Sequence, residues 1–160
     1  MSDPTTCVTV AELMAPPPEA VHPDSELRDA VAVLVAAGLV ALPVTDDSGR
    51  LVGLLDEEDL LVLAEDPHLV EQEAATARFW PLAGGRHAVE HLRVIQAKRV
   101  SEVMRHHPPA VHVSARCEYA AEVMADHHAG VLPVVDDEGH LVGVLTRQGL
   151  LEAWWAGRLC

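Results

Sequence analysis

The stretch "LPVTDDSGRLVGLLDEEDLL", residues 42–61, decides the fold because it returns as "LPVVDDEGHLVGVLTRQGLL" at residues 132–151. The offset of 90 residues sets Met14 against Met104 and holds without a gap from Val10–Leu61 to Val100–Leu151, with about twenty identical positions. One structural unit is therefore used twice. Pro18/Pro108, Val21/Val111, His22/His112, Asp46/Asp136, Gly49/Gly139 and Gly53/Gly143 are among the matched pairs.

Within each copy the local signals keep one order. "VAELM" reads as a short helix stopped by Pro16–Pro18, since proline lacks an N–H and disfavours helix in the residue before it. "EAVHP" reads as a short strand. "DSELRDAVAVLVAAG" carries an Asp or Ser cap, apolar residues at helical spacing and Gly38 as a stop. "ALPVTD" and "RLVGLL" are apolar runs joined by a glycine turn, hence a hairpin, and "DEEDLLVLA" opens a second helix. The second copy repeats this with "PAVHV", "ARCEYAAEVMADHHAG", "VLPVVD", "HLVGVL" and "TRQGLLEAWWAG".

The expected class is therefore mixed α+β: two β-α-β-β-α repeats packed with pseudo-twofold symmetry, each covering an apolar face the other cannot cover alone. Residues 1–64 form the first repeat with its leading helix, 65–98 a helical connection broken at Pro81 and Gly84-Gly85, and 99–160 the second repeat. In the last helix two adjacent indoles, Trp154 and Trp155, cannot both face one core. One is expected inside and the other at a partner surface. Phe79 and Trp80 in the connection could serve such a surface as well.

Composition narrows the function classes. A net charge of -14 argues against nucleic acid and anionic membranes, which need a basic footprint. Acids crowd residues 46–73, while Arg78, Arg86, Arg93, Lys98, Arg99 and Arg105 follow, an asymmetry suited to a solvated face or to association. The longest apolar run, residues 30–42, is short of the roughly 20 residues that span a bilayer, and the amino terminus does not read as a secretory signal. Cys7, Cys117 and Cys160 lack paired spacing, so reduced thiols and a cytoplasmic setting are expected. Ten histidines, among them His106-His107 and His127-His128, offer no chelating spacing, and no metal site is expected. GxSxG and GxxxxGK are absent, so no catalytic residues are assigned and the chain reads as a non-enzyme.

These motifs resemble the cystathionine beta-synthase (CBS) domain, whose tandem pair is called a Bateman module. The resemblance rests on the two quoted stretches, each preceded by a Met-ending helix, a proline-rich segment and an amphipathic helix. It implies a regulatory sensor that binds AMP, ATP or S-adenosylmethionine between the repeats and commonly dimerises. Val40, Ala41, Pro43, Gly130, Val131 and Pro133 are the implied lining residues, with His22 and His112 at the cleft or an edge. No firm cofactor beyond such a regulatory ligand is implied.

In the family's binding copies, a hydroxyl at the helix start serves phosphate and an Asp one turn on serves ribose. Here the pair is split: Asp56 and Asp59 in the first copy, Thr146, Arg147 and Gly149 in the second. A carboxylate within about 4 Å of a phosphate oxygen is repelled by roughly 1–4 kcal/mol, so Asp56 disfavours a phosphate and tolerates a neutral or cationic adenosyl group. Asp56 and Thr146 also suit helix capping alone. The competing expectation is an interaction module, with an unidentified protein partner, that kept the fold and lost the ligand.

Overall fold

The structure, a computed structural model, describes residues 8–64 and 99–159, with side chains of 61–64 left aside. The expected helical connection at 65–98, with Phe79 and Trp80, lies outside the described residues, as do Cys7 and Cys160.

The order is α1 (Val10–Leu13), α2 (Leu27–Ala37), β1 (Ala41–Thr45), β2 (Leu51–Asp56), α3 (Glu57–Ala64), a 3-10 turn (Val100–Glu102), β3 (Arg105–His106), β4 (Val111–His112), α4 (Cys117–Asp126), β5 (Val131–Val135), β6 (Leu141–Thr146) and α5 (Arg147–Trp155). This is the mixed α+β repeat expected from sequence. In α2 the buried residues Leu27, Ala30, Val31 and Leu34 follow helical spacing, and Gly38 ends the helix at φ 64°. The Asp or Ser cap expected for α2 is not formed. Its N-cap is Glu26, because Ser25 Oγ already accepts the His22 N–H at 3.1 Å and closes the turn before the helix. The "EAVHP" strand is likewise reduced to one parallel bridge, Val21 to Val44; its equivalent β4 runs parallel to β5 over two residues.

Each hairpin turns on a carboxylate. Asp46 Oδ1 accepts from the N–H groups of Ser48 (2.9 Å) and Arg50 (3.0 Å), and Asp136 Oδ1 from those of Glu138 (3.0 Å) and His140 (2.9 Å). Gly49 and Gly139 supply φ of 85° and 84°. The turns then bond to each other across the pseudo-twofold axis: Leu51 N to Gly139 O and Leu141 N to Gly49 O, both at 3.0 Å. Ala41, Leu54, Val131 and Val144 fill the interior between the two sheets.

The cores are not built from contiguous sequence. The leading helix, expected to belong with the copy that follows it, packs in the other copy: Val8 and Val10 lie in one cluster with Val111, Cys117, Leu132 and Leu145. Reciprocally, Val100 and Met104 join Leu27, Leu42 and Leu55. Backbone bonds follow the exchange, with β3 antiparallel to β2 and Ala15 bridged to Val144. The repeated Leu-Val-Gly motif explains the crossing. A Cβ on Gly143 would stand 2.6 Å from Met14 Sδ and 2.9 Å from Ala15 O, and one on Gly53 would strike Met104 Sδ. Each glycine leaves the groove in which the exchanged methionine lies.

Trp154 and Trp155 are both exposed, at 66% and 87%, against the expectation that one is core. Leu150 and Ala153 already fill the inner face of α5, and Trp154 falls to its side, on a pocket between α4 and α5 with Met124 and Leu151.

Candidate functional site

The helix starts after β2 and β6 open onto one cleft of ≈ 450 Å³, at the opposite ends of these strands from the paired turns. One wall is Gly38, Leu39, Val40, Asp56, Glu57 and Glu58; the other is His128, Gly130, Val131, Thr146, Arg147, Gln148 and Leu151. Most of these residues are equivalent at the 90-residue offset, so the cleft straddles the pseudo-twofold axis. At its floor Val40 meets Gly130, where a Cβ would stand 2.5 Å from the Val40 methyl.

Val40, Asp56, Gly130, Val131, Thr146 and Arg147, six of the residues picked out by sequence, line this cleft. The other six do not. Ala41 is sealed between the repeats, and Pro43 and Pro133 sit inside their strands. His22 and His112 stand at the hairpin ends: His22 Nδ1 is 3.7 Å from Asp47 and His112 Nε2 is 2.9 Å from Asp137, the latter an ion-pair distance without hydrogen-bond alignment. His112 Nδ1 also meets Ser114 Oγ at 2.7 Å. Asp59 faces β3, away from the cleft wall, and pairs with Arg105 at 3.0 Å. The lining residues that sequence reasoning passed over are Gly38, Leu39, Glu57, Glu58, His128, Gln148 and Leu151. Glu57, Glu58 and Gln148 carried a signal, since they flank Asp56 and Thr146. His128 did not, because its place on the cleft wall depends on a left-handed turn at φ 52°.

The electrostatics are lopsided. Asp56, Glu57 and Glu58 face Arg147 and His128 across the cleft, and Arg147 is anchored through Nη2 to Ala129 O at 3.0 Å. The helix starts spend much of their donor capacity on the chain itself. Glu57 N and Arg147 N each donate at 3.0 Å, to Val40 O and Gly130 O. Asp56 Oδ1 accepts from Glu58 N at 3.0 Å, and Thr146 Oγ1 from Gly149 N at 3.0 Å. Both residues therefore cap, leaving fewer backbone donors for an anion than an open helix start presents.

One group of metal-capable side chains converges among the described residues: His140 Nδ1 lies 3.3 Å from both Asp136 and Glu138 in the second hairpin. The first hairpin keeps the same turn with Ser48 and Arg50 in those places, so the turn does not depend on the trio. Cys117 is buried and unpaired, and burial pushes its thiol up to about 11. It is packing material and not a nucleophile.

The CBS domain profile matches residues 10–66 and 100–156. The chain belongs to the CBS domain family. A CBS domain-containing protein of Dictyostelium discoideum is 28% identical over 145 residues, covering 91% of this chain and 90% of that protein. The chloroplastic CBS domain-containing protein CBSX2 of Arabidopsis thaliana is 31% identical over 151 residues, covering 91% of this chain and 63% of that relative. The CBS-pair structure of CBSX2 superposes with a TM-score of 0.74 at 29% identity, over 96% of this chain and 98% of that one. CBSX2 in complex with AMP gives 0.69 at 28% identity, over 94% and 98%. A CBS domain pair in complex with 5′-methylthioadenosine and S-adenosyl-L-methionine shares the fold, with a TM-score of 0.69 at 18% identity over 95% and 99%. No helix among the described residues of this CBS pair is long and apolar enough to cross a membrane.

Proposed function

We propose that this CBS pair is a non-catalytic regulatory module that senses an adenosyl compound beside the start of α3, on the face of the first copy where Asp59 meets the exchanged strand β3. The observation that carries the reading is the retention of Asp59, half-buried one turn into α3, where an acceptor-only carboxylate can take both ribose hydroxyls. The AMP complex of CBSX2, a relative of the same architecture, supports an adenosine ligand. Three neighbouring carboxylates at the same helix start set its charge class. Asp56, Glu57 and Glu58 disfavour a phosphate by roughly 1–4 kcal/mol per close contact, whereas a neutral thioether or a sulfonium carries no such penalty. The preferred ligand is an adenosyl group of the S-adenosylmethionine class, ahead of AMP and ATP.

Thermal-shift and calorimetric titration with AMP, ATP, NAD, 5′-methylthioadenosine and S-adenosylmethionine tests this. Stabilisation is expected in the order sulfonium, neutral, phosphate. No shift with any of them at millimolar concentration overturns the sensor reading.

A second reading, a scaffold that kept the fold, is favoured by Gly149, which leaves the second copy without the ribose carboxylate, and by the backbone bonds that occupy Glu57 N and Arg147 N. It predicts flat titrations. Under either reading we place the protein as a cytoplasmic homodimer. The exposed Leu151 and Trp154 beside the α4–α5 pocket support self-association, since burying such a face removes apolar area from water. Light scattering of the wild type against Trp154→Glu measures it: loss of a dimer supports the assignment and a monomeric wild type ends it.

A further inference from the structure

Asp59 and Arg105 come from distant parts of the sequence. Asp59 lies one turn into α3, and Arg105 lies on β3, the exchanged strand that enters the first sheet beside β2. Arg105 Nε donates to Asp59 Oδ2 at 3.0 Å. The pair is half-shielded, with side-chain exposure of 43% and 30%. Among the described residues Asp59 Oδ1 takes no hydrogen bond, so one carboxylate oxygen is fixed by the guanidinium and the other is left as an acceptor. Asp56 and Glu58 also act on the Arg105 charge, which makes Arg105 the neighbouring cation of a helix start that carries four consecutive acids. Without it, Asp59 would be pushed from Asp56 and Glu58 and free to turn among its rotamers.

The second copy supplies the control. Position 105 corresponds to residue 15 and position 59 to residue 149, and there the chain has Ala15 and Gly149. The backbone is the same in both places: Arg105 is paired with Leu54 in register, and Ala15 with Val144, its equivalent. Arginine and carboxylate are thus present together in one copy and absent together in the other, while the antiparallel pairing of the exchanged segment is kept in both. A strand needing arginine for its own pairing would have needed it twice.

We propose that Arg105 is the positioning residue of the first copy's ligand site: it orients Asp59 so that Oδ1 meets the ribose hydroxyls, and the pair's absence from the second copy leaves one equipped site per chain. This rests on the adenosyl reading above. The free Oδ1 and the acids around it fit a diol ligand without a phosphate.

Calorimetry with 5′-methylthioadenosine separates the two claims. The wild type should bind one equivalent per chain, and Asp59→Ala should weaken binding about tenfold or more, the scale of losing a charged hydrogen-bond acceptor. Arg105→Ala should weaken it by a comparable factor and Arg105→Lys by less. In an Asp59→Ala background Arg105→Ala should change affinity no further, because Arg105 acts through the carboxylate; a residue needed only for folding would lower thermal stability without this non-additivity. Ala15→Arg with Gly149→Asp should raise the stoichiometry toward two. Losses that add in the double variant, or an Arg105→Ala protein that binds like the wild type, overturn the positioning role and leave the sensor reading standing. An Asp59→Ala protein with undiminished affinity, or a wild type that binds nothing, ends both.

Discussion

The two copies share a backbone and differ in what they place at its working end. Both keep the turn carboxylate, the Leu-Val-Gly groove and the buried leucines Leu42 and Leu132. At the helix start, one copy has Asp56, Glu57, Glu58 and Asp59, and the other Thr146, Arg147, Gln148 and Gly149. Positions that hold the sheet are constrained in both copies by the same packing. Positions on the cleft are not, so the copies diverged in charge where a ligand or partner would meet them.

The largest expected effect tests whether the copies are separate bodies at all. Leu42 and Leu132 are each fully buried, and each core contains residues contributed from the other half of the chain. Leu42→Ala and Leu132→Ala should each cost about 2–5 kcal/mol, and each should lower a single cooperative transition. Calorimetric melting checks this, and two resolved transitions would break the picture of interlocked cores. Next in size is Gly143→Val, whose Cβ meets Met14 Sδ and Ala15 O; it should cost about 1–3 kcal/mol by overpacking. Adding Met14→Ala should restore only part of the loss, since Ala15 O remains in the way. Full independence of the two substitutions would place Met14 elsewhere.

The helix starts give a smaller contrast. Thr146 Oγ1 accepts from Gly149 N, the third residue of α5, whereas Asp56 Oδ1 accepts from Glu58 N, the second of α3. Thr146→Ala should cost about 0.5–2 kcal/mol in urea denaturation, the value of an N-cap. Asp56→Ala should cost less, because removing the cap also removes one of four crowded carboxylates. Equal losses would mean that the acids in α3 do not repel one another appreciably.

How much of this was legible in the sequence follows from the range of each interaction. The duplication, the hairpins and the α2 and α4 helices were readable because they rest on local periodicity and on Gly49 and Gly139 at fixed offsets. The exchange of the leading segments was not. Nothing in "VAELM" distinguishes a helix that packs on the copy after it from one that packs on the other copy; only the groove over Gly53 and Gly143 decides that. The cap of α2 was misread because the Ser25 hydroxyl is spent on the His22 N–H in the turn before the helix. At the site, the half of the candidates beside the helix starts converged, because two equivalent strand exits necessarily meet on the axis. His22 and His112 lay at the strands' other ends, which a parallel bridge from Val21 to Val44 fixes and sequence order alone does not. The partner of Asp59, across 46 positions, was out of reach of any local pattern.

The smallest effect belongs to the loops that follow α2 and α4. Gly38 and His128 are equivalent, both in the left-handed region at φ 64° and 52°. A Cβ at Gly38 meets nothing within 4 Å, so Gly38→Ala isolates the backbone term and should cost about 1 kcal/mol. His128→Gly removes that strain and loosens the unfolded chain, a penalty of about 0.4–1 kcal/mol that nearly cancels the gain. The expected net change is within about 0.5 kcal/mol of zero. A destabilisation well beyond that in urea titration would show that the imidazole is held by the cleft wall and not merely tolerated in the turn. It would also make His128, with Arg147 beside it, the stabilising part of the second copy's wall. That outcome would sharpen the contrast, with acids presented by one copy and an anchored basic pair by the other.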